Sequence, residues 1–322
     1  ASYLPTPISA FLGEEFLHIR NANWDPDFPS SAETIEDLFF KIDGSEFDGV
    51  IALDLNLVKS LLDVTGPVFL AAYNEEISSE NLYERTQYYS EFDYQEGISD
   101  KRSFLTVLGG KLLERLFALP PEKMGSIISE VKSSLESRHL MASVENPTMK
   151  KFLAEKKWNG AMVTPEGDYL MVVNANLGGT KANYFVENSY DYSVTSDTRD
   201  GLLRSHLTLN YKHNGEDNAW PGGPYTDYLR VYVPKGARLT SATQSFNNGR
   251  PQNITGGVVS YNEEEYTVFA KSFVLRPQQE LRLTLDYDLP DNVSFTKESK
   301  DYSLYWQKQP GTQGDIFRFD FK

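Results

Sequence analysis

Three charged residues in the first half of the chain have the side chains that phosphate chemistry requires. Arg85 lies near the start of ERTQYYSEFDYQEGISDKRSFL, residues 84–105, and Asp100 and Arg102 lie near its end. The fork of N–H donors on a guanidinium group suits the oxygens of a phosphate, so Arg85 and Arg102 could converge on one phosphate or pyrophosphate. The alternative is structural: Ser99 caps a helix, and Asp100 lies in its first turn, where a carboxylate is favourable. The sequence leaves both interpretations open.

A second group of polar residues precedes an apparent helix in IRNANWDPDFPSSAETI, residues 19–35. Asn21, Asn23 and Asp27 are candidate ligand-binding residues, because the free amides at a helix N-terminus favour an anion. Asp25 and Asp27 would repel an anion unless a divalent cation lay between their carboxylates and a phosphate. Both aspartates are therefore also candidate metal ligands.

The same stretch can instead be explained as a capped turn. Ser30 followed by Glu33 fits a capping box, in which Ser30 accepts from the Glu33 amide and Glu33 bonds to the Ser30 amide. Asp25-Pro26 and Phe28-Pro29 place proline where the chain must turn or remain extended. The capped turn predicts Ser30 as the N-cap of the helix and needs no ligand.

A second Asn-Ala-Asn occurs in NANLGGTKAN, residues 174–183. This segment could cradle a phosphate, but it lacks the glycine spacing of the P-loop and of the dinucleotide-binding fingerprint. The favoured interpretation is a tight turn at Gly178-Gly179 between the strands YLMVVNA and ANYFVEN. That turn predicts a positive φ at one or both glycines.

Aromatic residues in the segment WPGGPYTDY could form a binding surface in the second half of the chain. Trp220 and Tyr225 are candidate ligand-binding residues, and Tyr228 lies close to them in sequence. Aromatic rings combine a large apolar surface with, in Trp and Tyr, a polar group. Packing of this loop against the rest of the protein explains the same residues equally well.

Composition excludes one class of partner and leaves the location open. The chain of 322 residues has a formal net charge of -15, which argues against nucleic-acid binding through a broad basic surface. It contains no cysteine, so disulfides and thiolate chemistry are excluded. No apolar run reaches the ~20 residues that span a bilayer. We expect both ends to have been cut from something longer, and any membrane contact to come from segments absent from this chain.

The elements that position these residues change type near the middle of the chain. Between Ser31 and Ala154 the apolar spacing is mostly helical. Within this region, FDGVIALDLNLVKSLLDVTGPV, residues 47–68, predicts a buried strand at GVIAL, a helix, and a stop at Gly66-Pro67. The sequence therefore predicts an α/β domain over residues 1–155.

After Trp158 the apolar residues recur with a period of two. The segments with this period include YLMVVNA, LLRSHLTLNYKH, TDYLRVYVP, EYTVFAKSFVL and ELRLTLDYDLP, and turn residues separate them. Several strands of this length and spacing are typical of an all-β antiparallel sandwich. We predict this sandwich over residues 156–322.

Several of these phrases together resemble one bacterial family. DFP, DGVIALD, LLDVTGPV and NANLGGTKAN are distinctive in combination, and the similarity extends to YTDYLRVYVPKGARL. They identify the chain as similar to the domain-of-unknown-function family 4012. The resemblance covers nearly all of the chain and implies no particular activity.

The first half is more distantly similar to LytR-CpsA-Psr enzymes. The shared order is an NA-containing loop, a helix, a strand like GVIALDL, a helix, a glycine, an Arg-bearing stretch and an Asp/Arg-led helix. Those enzymes are extracytoplasmic phosphotransferases that move glycopolymers from polyprenyl pyrophosphate to the cell wall with a divalent metal. The resemblance implies their fold for the α/β domain, incomplete at its N-terminus, with Arg85, Asp100 and Arg102 as catalytic residues.

Two functions follow from these observations. The first is a non-catalytic, extracytoplasmic module of a membrane-anchored cell-envelope protein, which binds or presents a glycan or a protein at the cell surface. The second is a phosphotransferase-like enzyme that acts on lipid-linked glycopolymers and uses Mg²⁺ or another divalent cation. No cofactor is established by the sequence, and the missing catalytic signatures favour the first function.

Overall fold

The computed structural model describes residues 4–91, 101–164, 166–196, 202–216, 222–293, 301–312 and 314–322. The chain divides into two compact units. The β-rich unit comprises Ala1–Pro26 and Met162–Lys322, and the mixed unit comprises Asp27–Ala161. The sequence placed a boundary after residue 155, whereas the units separate after Ala161, and residues 1–26 group with the C-terminal half.

The mixed unit is mainly helical, and the short N-terminal helix α1 (Thr6–Leu12) belongs to the other unit. The elements of the mixed unit are α2 (Phe28–Asp43), β1 (Gly49–Leu53), α3 (Leu55–Thr65), β2 (Val68–Leu70), β3 (Glu75–Ile77), α4 (Leu82–Glu91), α5 (Lys101–Phe117), α6 (Pro121–Glu136), β4 (Leu140–Val144) and α7 (Pro147–Glu155). Apolar faces of α3, α5 and α6 meet β2 and β3 in one core. This mixture of helices and short strands agrees with the predicted fold class at the coarse level.

The predicted strand GVIAL forms as β1, but the prediction that it is buried is wrong. Strand β1 pairs antiparallel with β4, and these two strands form a sheet of their own. Val50 and Ala52 pack against the core around Phe28, whereas Ile51 and Leu53 are 66% and 58% exposed. A continuous apolar run therefore does not show that both faces of a strand are covered, because covering depends on the neighbouring elements.

Helix α2 is capped by Asp27, and the prediction of Ser30 as its N-cap is wrong. The Asp27 carboxylate accepts from the backbone amide of Ser30 at 3.1 Å and from its hydroxyl at 2.9 Å. Phe28 and Pro29 then occupy the first helical turn, where the missing amide of proline is harmless. Ser30 is thus the third helical residue, and its side chain bonds back to the cap.

The β-rich unit contains two large sheets. Its strands are β5 (Asp168–Val173), β6 (Val186–Ser196), β7 (Leu203–His213), β8 (Tyr225–Pro234), β9 (Arg238–Phe246), β10 (Gln252–Asn253), β11 (Val259–Glu263), β12 (Tyr266–Leu275), β13 (Glu280–Asp288), β14 (Leu304–Gln307) and β15 (Ile316–Phe321). The six-stranded sheet has the order β10-β9-β13-β7-β6-β15, and the five-stranded sheet has the order β11-β12-β8-β5-β14.

Most strand pairs are antiparallel, as the sequence predicts, but two are not. Strand β14 pairs parallel with β5, and β15 pairs parallel with β6, each at an edge of its sheet. The inward residues of both sheets contribute to one hydrophobic core, for example Leu170 and Val231 from one sheet and Leu207 and Leu283 from the other. The outward residues of the long strands in the six-stranded sheet are mostly polar, which fits strands with one covered face. The opposite face of the five-stranded sheet carries a second buried cluster, formed by Tyr169, Met171, Val173, Tyr232, Tyr266 and Val268.

Replacing the observed cap should destabilise helix α2. We expect Asp27→Ala to lower the free energy of unfolding of the mixed unit by about 1 kcal/mol, because an N-cap acceptor is lost. Urea titration followed by far-ultraviolet circular dichroism measures the change. Ser30→Ala is the matched control and should cost less, since its backbone amide remains. A larger loss in Ser30→Ala than in Asp27→Ala would contradict the assignment.

Candidate functional site

Arg85, the first predicted catalytic residue, lies in α4 and is paired within the mixed unit. Its Nε lies 2.7 Å from Oε1 of Glu75 in β3, and its Nη1 lies 3.8 Å from Oε1 of Glu84. The Arg85 side chain is 34% exposed. A phosphate that bound Arg85 would therefore compete with the carboxylate of Glu75 for the guanidinium.

The other two predicted catalytic residues are only partly covered by the structure. Asp100 lies outside the described residues, and so does Ser99, its predicted neighbour in the helix cap. The backbone of Arg102 lies in helix α5 (Lys101–Phe117), and the position of the Arg102 side chain is not described. The convergence of Arg85 and Arg102 on one phosphate stays a prediction.

The predicted ligand and metal residues of the opening stretch fall in both units. Asn21 ends a short 3-10 helix, and Asn23 and Asp25 are exposed, all within the β-rich unit. Asp27 belongs to the mixed unit, where its carboxylate caps α2. Among the described residues, no group of three or more His, Cys, Asp or Glu side chains could hold a metal ion.

Trp24, in the same stretch, packs on an arginine of the five-stranded sheet. The guanidinium carbon of Arg230 lies 4.1 Å from the centre of the Trp24 ring, and Nη2 donates to the Trp24 carbonyl at 2.8 Å. Tyr228 contacts the same indole, with 5.8 Å between ring centres. Since Arg230 is almost fully buried, this cation–π contact is desolvated and anchors the N-terminal segment within its unit.

The second Asn-Ala-Asn is explained by structural hydrogen bonds. Asn176 Oδ1 accepts from the Gly178 amide at 3.0 Å, and its Nδ2 donates to the Thr180 carbonyl at 2.8 Å. Gly179 has a φ of 69°, which confirms the predicted positive angle. The two strands that the turn connects do not pair with each other, however, because β5 and β6 lie in different sheets, and part of ANYFVEN forms a 3-10 helix before β6. The turn carries the chain from one sheet to the other.

The predicted aromatic binding surface is not found among the described residues. Trp220 lies outside them. Tyr225 is buried in the core shared by the two sheets, where its hydroxyl donates to Asp227 Oδ1 at 2.9 Å. Tyr228 is in contact with Trp24. These tyrosines have packing roles, as the alternative interpretation of the segment expected.

Two buried carboxylates accept hydrogen bonds from the tyrosines of this core. Asp168 accepts from the hydroxyls of Tyr192 and Tyr302 and from the backbone amide of Tyr169. Burial raises the pKa of Asp168 to about 6, although these three donors oppose the shift. Burial likewise raises the pKa of Asp227 to about 7, and the hydrogen bond from Tyr225 opposes it.

An open polar cleft lies on the outer face of the six-stranded sheet. Glu187 of β6 pairs with Lys212 of β7, which pairs in turn with Glu280 of β13, so these three residues form one row across the strands. The neighbouring row on the same face includes Asn210 and Arg282. The cleft has a volume of about 320 Å³. Its lining is completed by Asn188, Ser189, Tyr211, Ser245, Asn248, Leu281 and Ile316.

Among the described residues, the charged side chains of the first row lack the partners that charged side chains have at the opposite end of the same sheet face. There, His206 Nδ1 lies 2.7 Å from Asp286 Oδ1, and Ser241 donates to the other oxygen of Asp286 at 2.6 Å. Arg204 and Arg238 both lie within ion-pair distance of Asp288. In the part of the chain that the structure describes, Glu187, Lys212 and Glu280 have no such side-chain partner. Their donors and acceptors are available to a ligand.

The sequence offered only part of the information that defines this cleft. The period of two in the three strands places Glu187, Lys212 and Glu280 outward, because their neighbours Tyr211 and Leu281 are apolar. The order β13-β7-β6 and the register bring them into one row, and a single sequence does not determine either. Sequence reasoning therefore missed this site.

The fold defines a protein of two units, of which one mixes helices with short strands and the other is rich in β-strands. Residues 4–89 of the chain match the DUF4012 family model, described as a protein of unknown function, and this match supports the resemblance drawn from the sequence. The likeness to LytR-CpsA-Psr enzymes stays a prediction. The comparison with curated proteins found no match.

Solved structures share only weak likeness with the chain. The CBM3a-L domain with flanking linkers from scaffoldin cipA of the cellulosome of Clostridium thermocellum has 13% identity and a TM-score of 0.24, covering 40% of this chain and 82% of that one. An M1 zinc metallopeptidase from Deinococcus radiodurans has 19% identity and a TM-score of 0.18, covering 32% and 20%. Native leukotriene A4 hydrolase from Saccharomyces cerevisiae has 9% identity and a TM-score of 0.21, covering 35% and 16%. Likeness at this level carries no functional argument.

The buried carboxylates should make stability depend on pH. Because folding raises their pKa, their contribution to stability is fully present below the unfolded pKa of 3.8 and is lost as pH rises through about 6 for Asp168 and about 7 for Asp227. We expect Asp227→Asn, which keeps an acceptor for Tyr225, to remove about 4 kcal/mol of the loss between pH ~4 and ~8.

Urea titrations of the two proteins across this pH range measure the difference. The exposed Asp320→Asn is the control, since it also removes one carboxylate but leaves the core unchanged. Parallel stability curves for the wild type and Asp227→Asn would contradict the role given to this carboxyl group.

Proposed function

We propose that the protein is a non-catalytic binding module of a membrane-anchored bacterial cell-envelope protein, located outside the cytoplasm. Its β-rich unit binds or presents a glycan or a surface protein. The observation that carries this proposal is the polar cleft on the six-stranded sheet, where Glu187, Lys212 and Glu280 have no side-chain partner among the described residues. Convergent polar groups in a concave surface are typical of binding sites.

The architecture supports a binding role for this unit. The two large sheets share one core, and we propose that they form a sandwich, in which the outer face of the six-stranded sheet is a rigid surface for recognition. The net charge of -15 is consistent with the absence of a nucleic-acid partner. None of the described helices has the length and apolarity needed to span a membrane. The envelope location rests on the expectation drawn from the sequence.

Retention of envelope components by the immobilised chain tests this function. We expect the immobilised chain to retain a polysaccharide or protein from bacterial envelope extracts. An immobilised unrelated protein of equal net charge serves as the control. Interaction at the cleft predicts that Lys212→Ala reduces retention. Recovery of the same components on the control column, with no excess on this chain, would contradict a binding function.

The second candidate function is a phosphotransferase-like enzyme of the mixed unit. It is favoured by one observation: Arg102 lies in a helix, α5 (Lys101–Phe117), as the resemblance to LytR-CpsA-Psr enzymes implies. The ion pair between Arg85 and Glu75 weighs against it, because this guanidinium already has a carboxylate partner.

Calorimetry with a polyprenyl pyrophosphate analogue and Mg²⁺ distinguishes this enzyme from the binding module. An enzyme site requires binding that falls at least tenfold in Arg85→Ala and in Arg102→Ala, because charge-assisted pairs would be lost. Arg204→Ala, in the other unit, is the matched control and should bind as the wild type does. Equal binding by all four proteins would exclude Arg85 and Arg102 from the site.

A further inference from the structure

We propose that the cleft on the six-stranded sheet binds a small neutral saccharide, such as one or two sugar units of a glycan chain. This inference rests on the proposed binding function and specifies its ligand and its site. It depends on three properties of the cleft: the complementary character of its free groups, its balanced charge and its size.

The free groups of the first row alternate between acceptors and a donor. The carboxylates of Glu187 and Glu280 accept hydrogen bonds only, and the ammonium group of Lys212 between them donates only. A sugar hydroxyl both donates and accepts, so one hydroxyl can bond to a carboxylate and to the ammonium group together. Neighbouring strands lie ~4.8 Å apart, so adjacent hydroxyls of one ring can reach this row.

The balance of charge in the cleft favours a neutral ligand. Glu187 and Glu280 contribute two negative charges, and Lys212 and Arg282 contribute two positive charges. Arg282 is held in place, because its Nε donates to Asn210 Oδ1 at 3.1 Å. A phosphate or a metal cation would meet like charges as well as opposite ones. A neutral polar ligand can bond to both the donors and the acceptors of this lining, and it has no charge to be repelled.

The size and the lining of the cleft distinguish a saccharide from a peptide. Its volume of about 320 Å³ lies at the lower end of the ~300–1,000 Å³ found for small-ligand sites. Ile316 is the exposed apolar residue of the lining, and it is 55% exposed. A peptide partner normally inserts a large apolar or aromatic anchor into a pocket, and this lining provides none for it. The carbon–hydrogen face of one sugar ring matches a single aliphatic side chain.

Nuclear magnetic resonance titration of the full chain with neutral disaccharides tests the proposal. The probes are cellobiose, maltose, mannobiose and chitobiose. We expect at least one of them to shift backbone amide signals in the cleft segments of β6, β7 and β13. We also expect Lys212→Ala and Glu280→Gln to weaken that binding at least tenfold. His206→Ala, on the same sheet face but outside the cleft, is the matched control and should bind as the wild type does.

The outcomes separate this inference from the proposed function. Binding that is unchanged in Lys212→Ala and Glu280→Gln would overturn the site and leave a glycan-binding module. If no disaccharide binds while the chain still retains an envelope protein, the saccharide inference fails and the binding function stands. A tenfold or larger fall in affinity when the salt concentration is raised would also overturn the saccharide inference, because salt does not screen the binding of an uncharged ligand.

Discussion

Hydrogen bonds of buried tyrosine hydroxyls link the two sheets of the β-rich unit. Tyr190, Tyr192 and Tyr211 are at most 1% exposed, and a buried hydroxyl without a partner costs about 1–3 kcal/mol. Asn174 bonds to two of them, donating to Tyr190 at 3.0 Å and accepting from Tyr211 at 2.8 Å. Asp168 accepts from Tyr192. Polar residues at both ends of β5 therefore join the two sheets.

This constraint explains why chemically suggestive residues turn out to have structural partners. Asn174 belongs to a motif that could have bound phosphate, yet its side chain is occupied within the core, and its backbone bonds to the side chain of Gln309. Asp168 also holds Tyr302, just before β14, and so ties the parallel edge strand to the core. A buried carboxylate is costly when ionised, so it is retained only where several donors converge. Its raised pKa is a consequence of its place between the sheets.

The sequence predicted local structure well and pairing poorly, for a physical reason. A period of two identifies a strand whose alternate side chains are covered, and it located the long strands and the turn at Gly179. Sheet membership depends on contacts between distant segments, so the turn at Gly178-Gly179 did not indicate that β5 and β6 belong to different sheets. At the start of α2, the capping-box pattern pointed to Ser30, but Asp27 is equally able to cap a helix and Pro29 is compatible with its first turn, so the helix begins earlier than that pattern indicates. The burial of β1 was misjudged because it depends on neighbours that the sequence does not specify.

The strands of the six-stranded sheet direct alternate side chains into the core and out to solvent, and this separation allows the cleft to exist without weakening the fold. Inside, every polar side chain that lacks a partner raises the free energy of the folded state. Outside, Glu187 and Lys212 remain hydrated, and an exposed ion pair between them would add at most about 1 kcal/mol. Selection for stability therefore acts weakly on this row. Its side chains can be arranged for a ligand while the tyrosines and their acceptors maintain the two sheets beneath it.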